Sequence, residues 1–404
     1  MGFDLKKLGP GLLFAGAAIG VSHLVQSTKA GANFDFGLVW ALLLVHVFKY
    51  PFFQYGPRYA LATGESLLDG YKKLGTGVLI VYFVLTFATM FTIQTAVTIV
   101  TAGLASSLFS SSLSIEIWTV IISLVCLVIL LKGKYQVLDR LMKIIVIMLT
   151  ISTLLAVFLA FENSTYGHSF AQIMPQNKFE IAFLIAFMGW MPAPLDVSIW
   201  QSLWALEKQK SNNEYQVKTA LFDFNVGYFA AIFVGLGFIA LGALVMYNSG
   251  ENFSPKANEF ANQLINMYTK NLGDWSYIVI GIAAFTTMFS TTLTTLDASP
   301  RAMHKTTQLL FNRACNKGYI IWILVLFIGT IAIFLLLQSE MAFLIKIATI
   351  LSFITAPFYA IVNYILISSK HTPKTWQPKM WLHGLSWIGI LFLIGFSIWY
   401  LTNL

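Results

Sequence analysis

Charge is scarce in this 404-residue chain: 10% of residues are Asp, Glu, Lys or Arg, against about 25% in soluble proteins. Cysteine is scarcer still. Cys126 and Cys315 have no metal-ligand spacing, and a disulfide between them is not expected. The chain has no HExxH, no G-x-S-x-G and no clustered carboxylates, so nothing supports a membrane enzyme. It has no nucleotide-binding loop either, which disfavours ATP-driven transport. No cleavable signal peptide is evident; the leader MGFDLKKLG runs straight into an apolar segment.

Apolar residues fill the gap. Hydrophobic residues make up 57% of the chain, and mean hydropathy is +0.75. Eleven segments are long enough to cross a bilayer, which takes about 20 residues: 10–31, 36–56, 77–107, 113–131, 141–161, 180–205, 219–247, 276–299, 319–337, 341–369 and 380–402. These predict an all-α integral membrane protein with 1–404 as one domain. The net charge of +8 is distributed by side. With the N-terminus inside, 19 Lys and Arg face the cytoplasm, three (Lys178, Lys256, Lys270) lie in outer loops, and three (Lys29, Lys49, Lys346) fall within spans. The expectation is a multi-pass protein of the cell membrane, N-terminus cytoplasmic and C-terminus outside. The basic excess then faces lipid headgroups, not nucleic acid.

Two stretches break the apolar pattern. GAAIGVSHLVQSTK, Gly16 to Lys29, puts Gly20, Ser22, His23, Gln26, Ser27 and Thr28 inside span 1. MGWMPAPLD, Met188 to Asp196, puts two prolines into span 6, where each removes a backbone donor. Carbonyls freed in a bilayer need protein, water or a ligand as partner. Two broken helices are therefore expected, facing each other across one site. Spans 1–5 (10–161) and 6–10 (180–369) each start with one. Five is odd, so the groups enter with opposite topology, the inverted repeat of many secondary transporters, with 380–402 as an extra helix.

Other features read more plainly. Thr287, Ser290, Thr291, Thr294 and Thr295 recur at three- and four-residue steps in span 8, so several share one helix face, for packing or for an ion. Glycine-rich span 7 predicts close packing. Span 2 is expected to stop near Pro57, with GESLLDGY as an amphipathic turn. Lys29, Lys49 and Lys346 are expected to snorkel. Asp297 and Arg301 predict a local ion pair. Asn163-Ser164-Thr165 is read as plain loop.

The runs GPGLLFAGAAIG…HLVQSTKAGANFDFGLVW and LATGESLLDGY, with the Met-Pro break of span 6, resemble the Nramp divalent-metal transporters over nearly the whole chain. The resemblance implies a LeuT-type fold and inward carriage of a divalent metal, usually with protons. The family's Asp-Pro-Gly-Asn matches Gly20-Val21-Ser22-His23 here, so the metal-binding Asp is absent and His23 replaces the Asn. Its Met-Pro-His matches Met191, Pro192 and Ala193. The acidic residues of its third span, linked to proton movement, have no counterpart.

The candidate substrate site comprises Gly20, Ser22, His23, Gln26, Met188, Met191 and Asp196. His23 and Met191 are the candidate metal ligands, a relatively soft pair. The leading expectation is a secondary transporter of a divalent metal through a modified site. The alternative is a Na+-coupled carrier of a small anion, bicarbonate for example, or a polar organic solute. For it, Gly20, Val21, Ser290, Thr291 and Thr294 form a candidate Na+ site. A non-transporting membrane sensor or scaffold is a further reading. No cofactor is implied beyond a coupling ion, Na+ or H+; the partners are a small ion or solute and the lipid bilayer.

Overall fold

A computed structural model describes residues 8–109, 113–132, 135–163, 167–247, 253–274, 276–312, 316–337 and 341–402. Every regular element among them is helical. Cys315 and the residues Ser164 and Thr165 lie outside the described residues.

The first span is interrupted. Helix α1 (Pro10–Ala18) ends where Ile19 leaves helical geometry. The chain re-enters as a π-helical turn, Ser22–Ser27, and continues as α2 (Thr28–Phe34). The two halves are bent by 47°. Span 2 is α3 (Val39–Thr63), followed by the short α4 (Leu67–Leu74). The expected stop near Pro57 is corrected: α3 runs on to Thr63 and ends at Gly64, whose φ of 74° suits a residue without a Cβ. Ser66 and Asp69 form a reciprocal capping box at the start of α4. Spans 3 to 5 follow as α5 (Thr76–Leu108), α6 (Ile115–Lys132) and α7 (Tyr135–Asn163).

The sixth span is also two helices, α8 (Lys178–Trp190) and α9 (Val197–Ser211). The six residues between them include both prolines, so this is a true interruption, not a kink. After α10 (Val217–Met246) and α11 (Ala257–Leu272) come α12 (Ser276–Phe311), α13 (Gly318–Leu337), α14 (Met341–Ser368) and α15 (Met380–Thr402). Among the described residues, seven helices are long and apolar enough to cross a membrane, and the bent pair at the N-terminus makes an eighth. The other expected spans, α3, α8–α9 and α12, hold Lys49, the proline break, and the hydroxyl stripe with Asp297. Polar interiors of that kind lower the hydropathy of a span.

Close packing between spans 1 and 7 holds the first break in place. A methyl group on Gly227 would lie 1.9 Å from the Gly11 carbonyl oxygen, so only glycine admits the contact. The start of α1 is tied to the same helix. Gly9 and Gly11 amides, left unpaired at a helix start, donate to the Asp223 carboxylate at 3.1 and 2.8 Å. Tyr215 adds a third donor at 2.7 Å. At one end of the bundle Arg301 pairs with Asp297 at 2.7 Å, as expected, and Tyr319 donates to the same carboxylate at 2.6 Å.

Candidate substrate site between two helix breaks

The two interruptions meet. Ser22 Oγ lies 3.4 Å from the Pro192 carbonyl oxygen, 170 positions away in the chain. A small cavity of about 30 Å³ opens beside this contact, lined by Val21, Ser22, Trp190, Ala193, Pro194 and Thr291 among others. That is room for a water-sized group, not for a large ligand.

Ser22 is crowded by acceptors. Its hydroxyl lies 2.7 Å from the Ala18 carbonyl oxygen and 2.8 Å from His23 Nδ1, besides Pro192. On the other side of the ring, His23 Nε2 is 3.0 Å from the Ala231 carbonyl oxygen, which makes that nitrogen the donor and Nδ1 an acceptor. One hydroxyl proton thus serves three acceptors. A solute docking there does best if it brings a donor or positive charge. His23 is fully buried against α10, beside Gly235, and is not among the cavity walls. Gln26 is buried one turn on.

Spans 1 and 8 meet at Gly20. A methyl group there would lie 2.7 Å from Thr291 Oγ1. Thr291 lies 3.1 Å from the Gly16 carbonyl oxygen and 3.5 Å from that of Ile19. Of the other residues of the candidate Na+ site, Val21 lines the cavity, Ser290 donates to Thr287 at 2.7 Å, and Thr294 is buried.

The methionines sit differently. Met188 and Met191 are buried in an apolar cluster with Leu42, Val45, Leu184, Phe187 and Ile239. Their backbone carbonyls are the polar feature. Pro192 cannot supply the amide that a continuing helix would offer to Met188, so that carbonyl is orphaned. Lys49, from α3, supplies the donor instead. Its ammonium lies 3.1 Å from the Met188 carbonyl oxygen, 2.8 Å from that of Gly189 and 2.8 Å from that of Met191. The expectation that Lys49 snorkels is overturned: it is 0% exposed. The sequence held the reason. Lys49 is seven residues from the nearer end of span 36–56, about 10 Å at 1.5 Å per residue, beyond the reach of its stem. Lys29 does not snorkel freely either, since its ammonium lies 5.6 Å from the centre of the Phe260 ring; Lys346 is exposed.

Asp196 follows the second break. It is buried, and its Oδ1 has no hydrogen-bond partner among the described residues. It does not line the cavity. Sequence reasoning also missed two polar clamps nearby. Gln94 of span 3 bonds Thr295 at 2.5 Å and the Thr292 carbonyl at 3.2 Å. Asn363 of span 10 bonds Ser198 at 2.9 Å, just past the break.

An all-helical bundle with two interrupted helices meeting at a buried cavity is the architecture of a LeuT-type secondary transporter. The chain belongs to the natural resistance-associated macrophage protein-like (Nramp) family of membrane transporters, whose family model matches residues 11–403. It is 34% identical, over 98% of its length and 92% of the relative's, to an uncharacterized protein of Pasteurella multocida. Its fold is similar to a mutant manganese transporter of Eremococcus coleocola, with a TM-score of 0.72, 12% identity and coverage of 98% and 94% of the two chains. It is also similar to MHP1, a nucleobase-cation-symport-1 family transporter, at a TM-score of 0.61, 14% identity and coverage of 98% and 92%.

Proposed function

We propose that this protein is a secondary transporter whose cargo passes between the two breaks, and that this cargo is a small polar solute carried with Na+. The observation that carries the reading is the chemistry of the cavity: its walls are neutral side chains, and Asp196 is not among them. Among the described residues no group of three His, Cys, Asp or Glu is placed to hold a metal. A hard dication is bound through oxygens and carboxylate charge. The charge seated on the carbonyls of the second break is the Lys49 ammonium. Na+ finds carbonyl oxygens of Gly16 and Ile19 beside Thr291, at the junction of spans 1 and 8.

The second reading, a metal ion, is the one the family favours. Met191 and Pro192 keep the family's pattern, and the acceptors around Ser22 suit a positive guest. We read the chain as one domain of two inverted five-span repeats plus α15, in the cell membrane with its N-terminus inside. The test is uptake into proteoliposomes of labelled bicarbonate, amino acids and Mn2+, each with Na+ or with choline. Na+-dependent uptake of a non-metal solute is the expected result. Mn2+ uptake that is indifferent to Na+ would establish the metal reading in its place.

A further inference from the structure

We infer that Lys49 is a specificity-determining residue: its ammonium is a tethered cation that stands where a mobile one would otherwise sit, on the carbonyls at the end of α8. The inference stands whichever cargo the cavity takes.

The end of α8 is a cation site in all but occupant. A helix C-terminus presents unpaired carbonyl oxygens and the negative end of the helix dipole. Here the helix stops at Trp190, and Pro192 and Pro194 withhold two of the amides that would have paired with the last turn. The Met188, Gly189 and Met191 oxygens converge on one point, and Lys49 Nζ occupies it at 2.8–3.1 Å. An ammonium has three donors, and all three are used. The side chain comes from α3, whose Leu42 and Val45 pack in an apolar cluster with Phe187, and it is fully buried. Oxygen rings of this kind, made of carbonyls alone, take the place of a cation's hydration shell in selective pores. A charge fixed by a covalent stem holds the same place with no dissociation, and it repels any second cation.

The consequence is a selectivity built from a neighbouring helix. While Lys49 is seated, the carbonyls of the second break take no free metal cation. Removing the ammonium frees three oxygens to accept one.

The test uses the full-length protein in detergent, with Na+ alone and Mn2+ alone as probes. Lys49→Ala and Lys49→Met are titrated calorimetrically and followed by thermal melting, beside wild type and Lys49→Arg. The expected result is a cation affinity at least ~10-fold tighter in the Ala or Met variant than in wild type. The melting temperature of that variant should rise with cation concentration, while Lys49→Arg stays as flat as wild type. Folded Ala and Met variants that respond to neither cation more than wild type does would overturn the inference. Should neither variant fold, amine acetylation of the folded wild type decides. Lys49 stays unmodified while exposed Lys346 reacts if the ammonium is seated; ready modification of Lys49 in folded protein overturns the inference. Cargo uptake is not a readout here, so a failure of the transport reading shows separately, in the proteoliposome assay.

Discussion

Ser22 Oγ and the Pro192 carbonyl oxygen, 3.4 Å apart, are the point at which the two broken helices touch. The contact works because each break exposes the complement of the other: a hydroxyl from the first, a carbonyl freed by the second. Ser22→Val puts a branched apolar side chain into a cavity of about 30 Å³ and leaves His23 Nδ1 without its partner. Uptake of the cargo is expected to fall at least ~10-fold, since a buried group left unpaired costs about 1–3 kcal/mol. Melting temperature should also fall, by a few degrees, because the same unpaired group costs stability while both helices keep their other contacts. Unaltered uptake by Ser22→Val would move the cargo path away from this contact.

Thr291 tests ion coupling. Its hydroxyl faces the Gly16 and Ile19 carbonyls and crowds Gly20. Thr291→Val keeps the shape and removes the oxygen; Thr291→Ser keeps the oxygen. The Val variant is expected to lose the difference between uptake in Na+ and in choline, and the Ser variant to retain it. A Val variant with undiminished Na+ dependence removes Thr291 from the ion site.

The interruptions were legible in the sequence because they violate rules that local chemistry enforces. Prolines inside α8–α9 and a small polar run inside span 1 have no cheap place in a lipid-facing helix. The partners were not legible, because a partner depends on which helices become neighbours and on how each is rotated. His23 was read as facing the site, but the approach of α10, permitted by Gly235, turns it toward Ala231. Lys49 and the Met188 carbonyl are 139 positions apart, and only packing of α3 against α8 joins them. Depth in the span was the one available signal. Pro57 misled for the converse reason: a proline lowers helix propensity, yet α3 passes through Pro51 and Pro57 where neighbouring helices bury it.

Asp223 anchors the start of α1. Three donors, the Gly9 and Gly11 amides and the Tyr215 hydroxyl, converge on its carboxylate. Asp223→Ala leaves them without this acceptor, and a loss of at least about 2 kcal/mol of stability is expected. Thermal melting of the purified protein measures it. Asp223→Asn, which keeps one acceptor oxygen, should fall between the two. A melting temperature unchanged in Asp223→Ala would mean that the start of α1 is held by something else.

The seam between spans 1 and 7 gives a sharper structural test. The Gly227 methyl position is 1.9 Å from the Gly11 carbonyl oxygen, a backbone atom that cannot swing aside. Gly227→Val is expected to cost more than the about 1–3 kcal/mol of ordinary overpacking and to abolish a monodisperse peak on gel filtration. Gly384, with nothing within 4 Å of its methyl position, is the control: Gly384→Ala should leave the peak intact. Equal behaviour of the two variants would deny the close approach of the helices.

The methionines separate the two cargo readings. Both side chains lie in the apolar cluster beside α3, while their carbonyls face Lys49. Substitution therefore leaves the oxygens in place and tests the sulfur and the packing. Met191→Ala opens a buried void and is expected to cost about 2–5 kcal/mol, so reduced uptake in that variant alone cannot distinguish a lost ligand from a loosened helix. Met191→Leu keeps the volume and removes only the thioether, a change that usually costs under about 1.5 kcal/mol. If the cargo is a polar solute, uptake per folded molecule should match wild type. If a metal is bound through sulfur, Mn2+ uptake should fall at least ~10-fold, since loss of even an outer-shell partner typically costs about 10–100-fold in metal affinity. His23→Ala is expected to impair transport under either reading, because it empties the space between Ser22 and Ala231. Full transport by both His23→Ala and Met191→Leu would place the cargo somewhere other than the breaks.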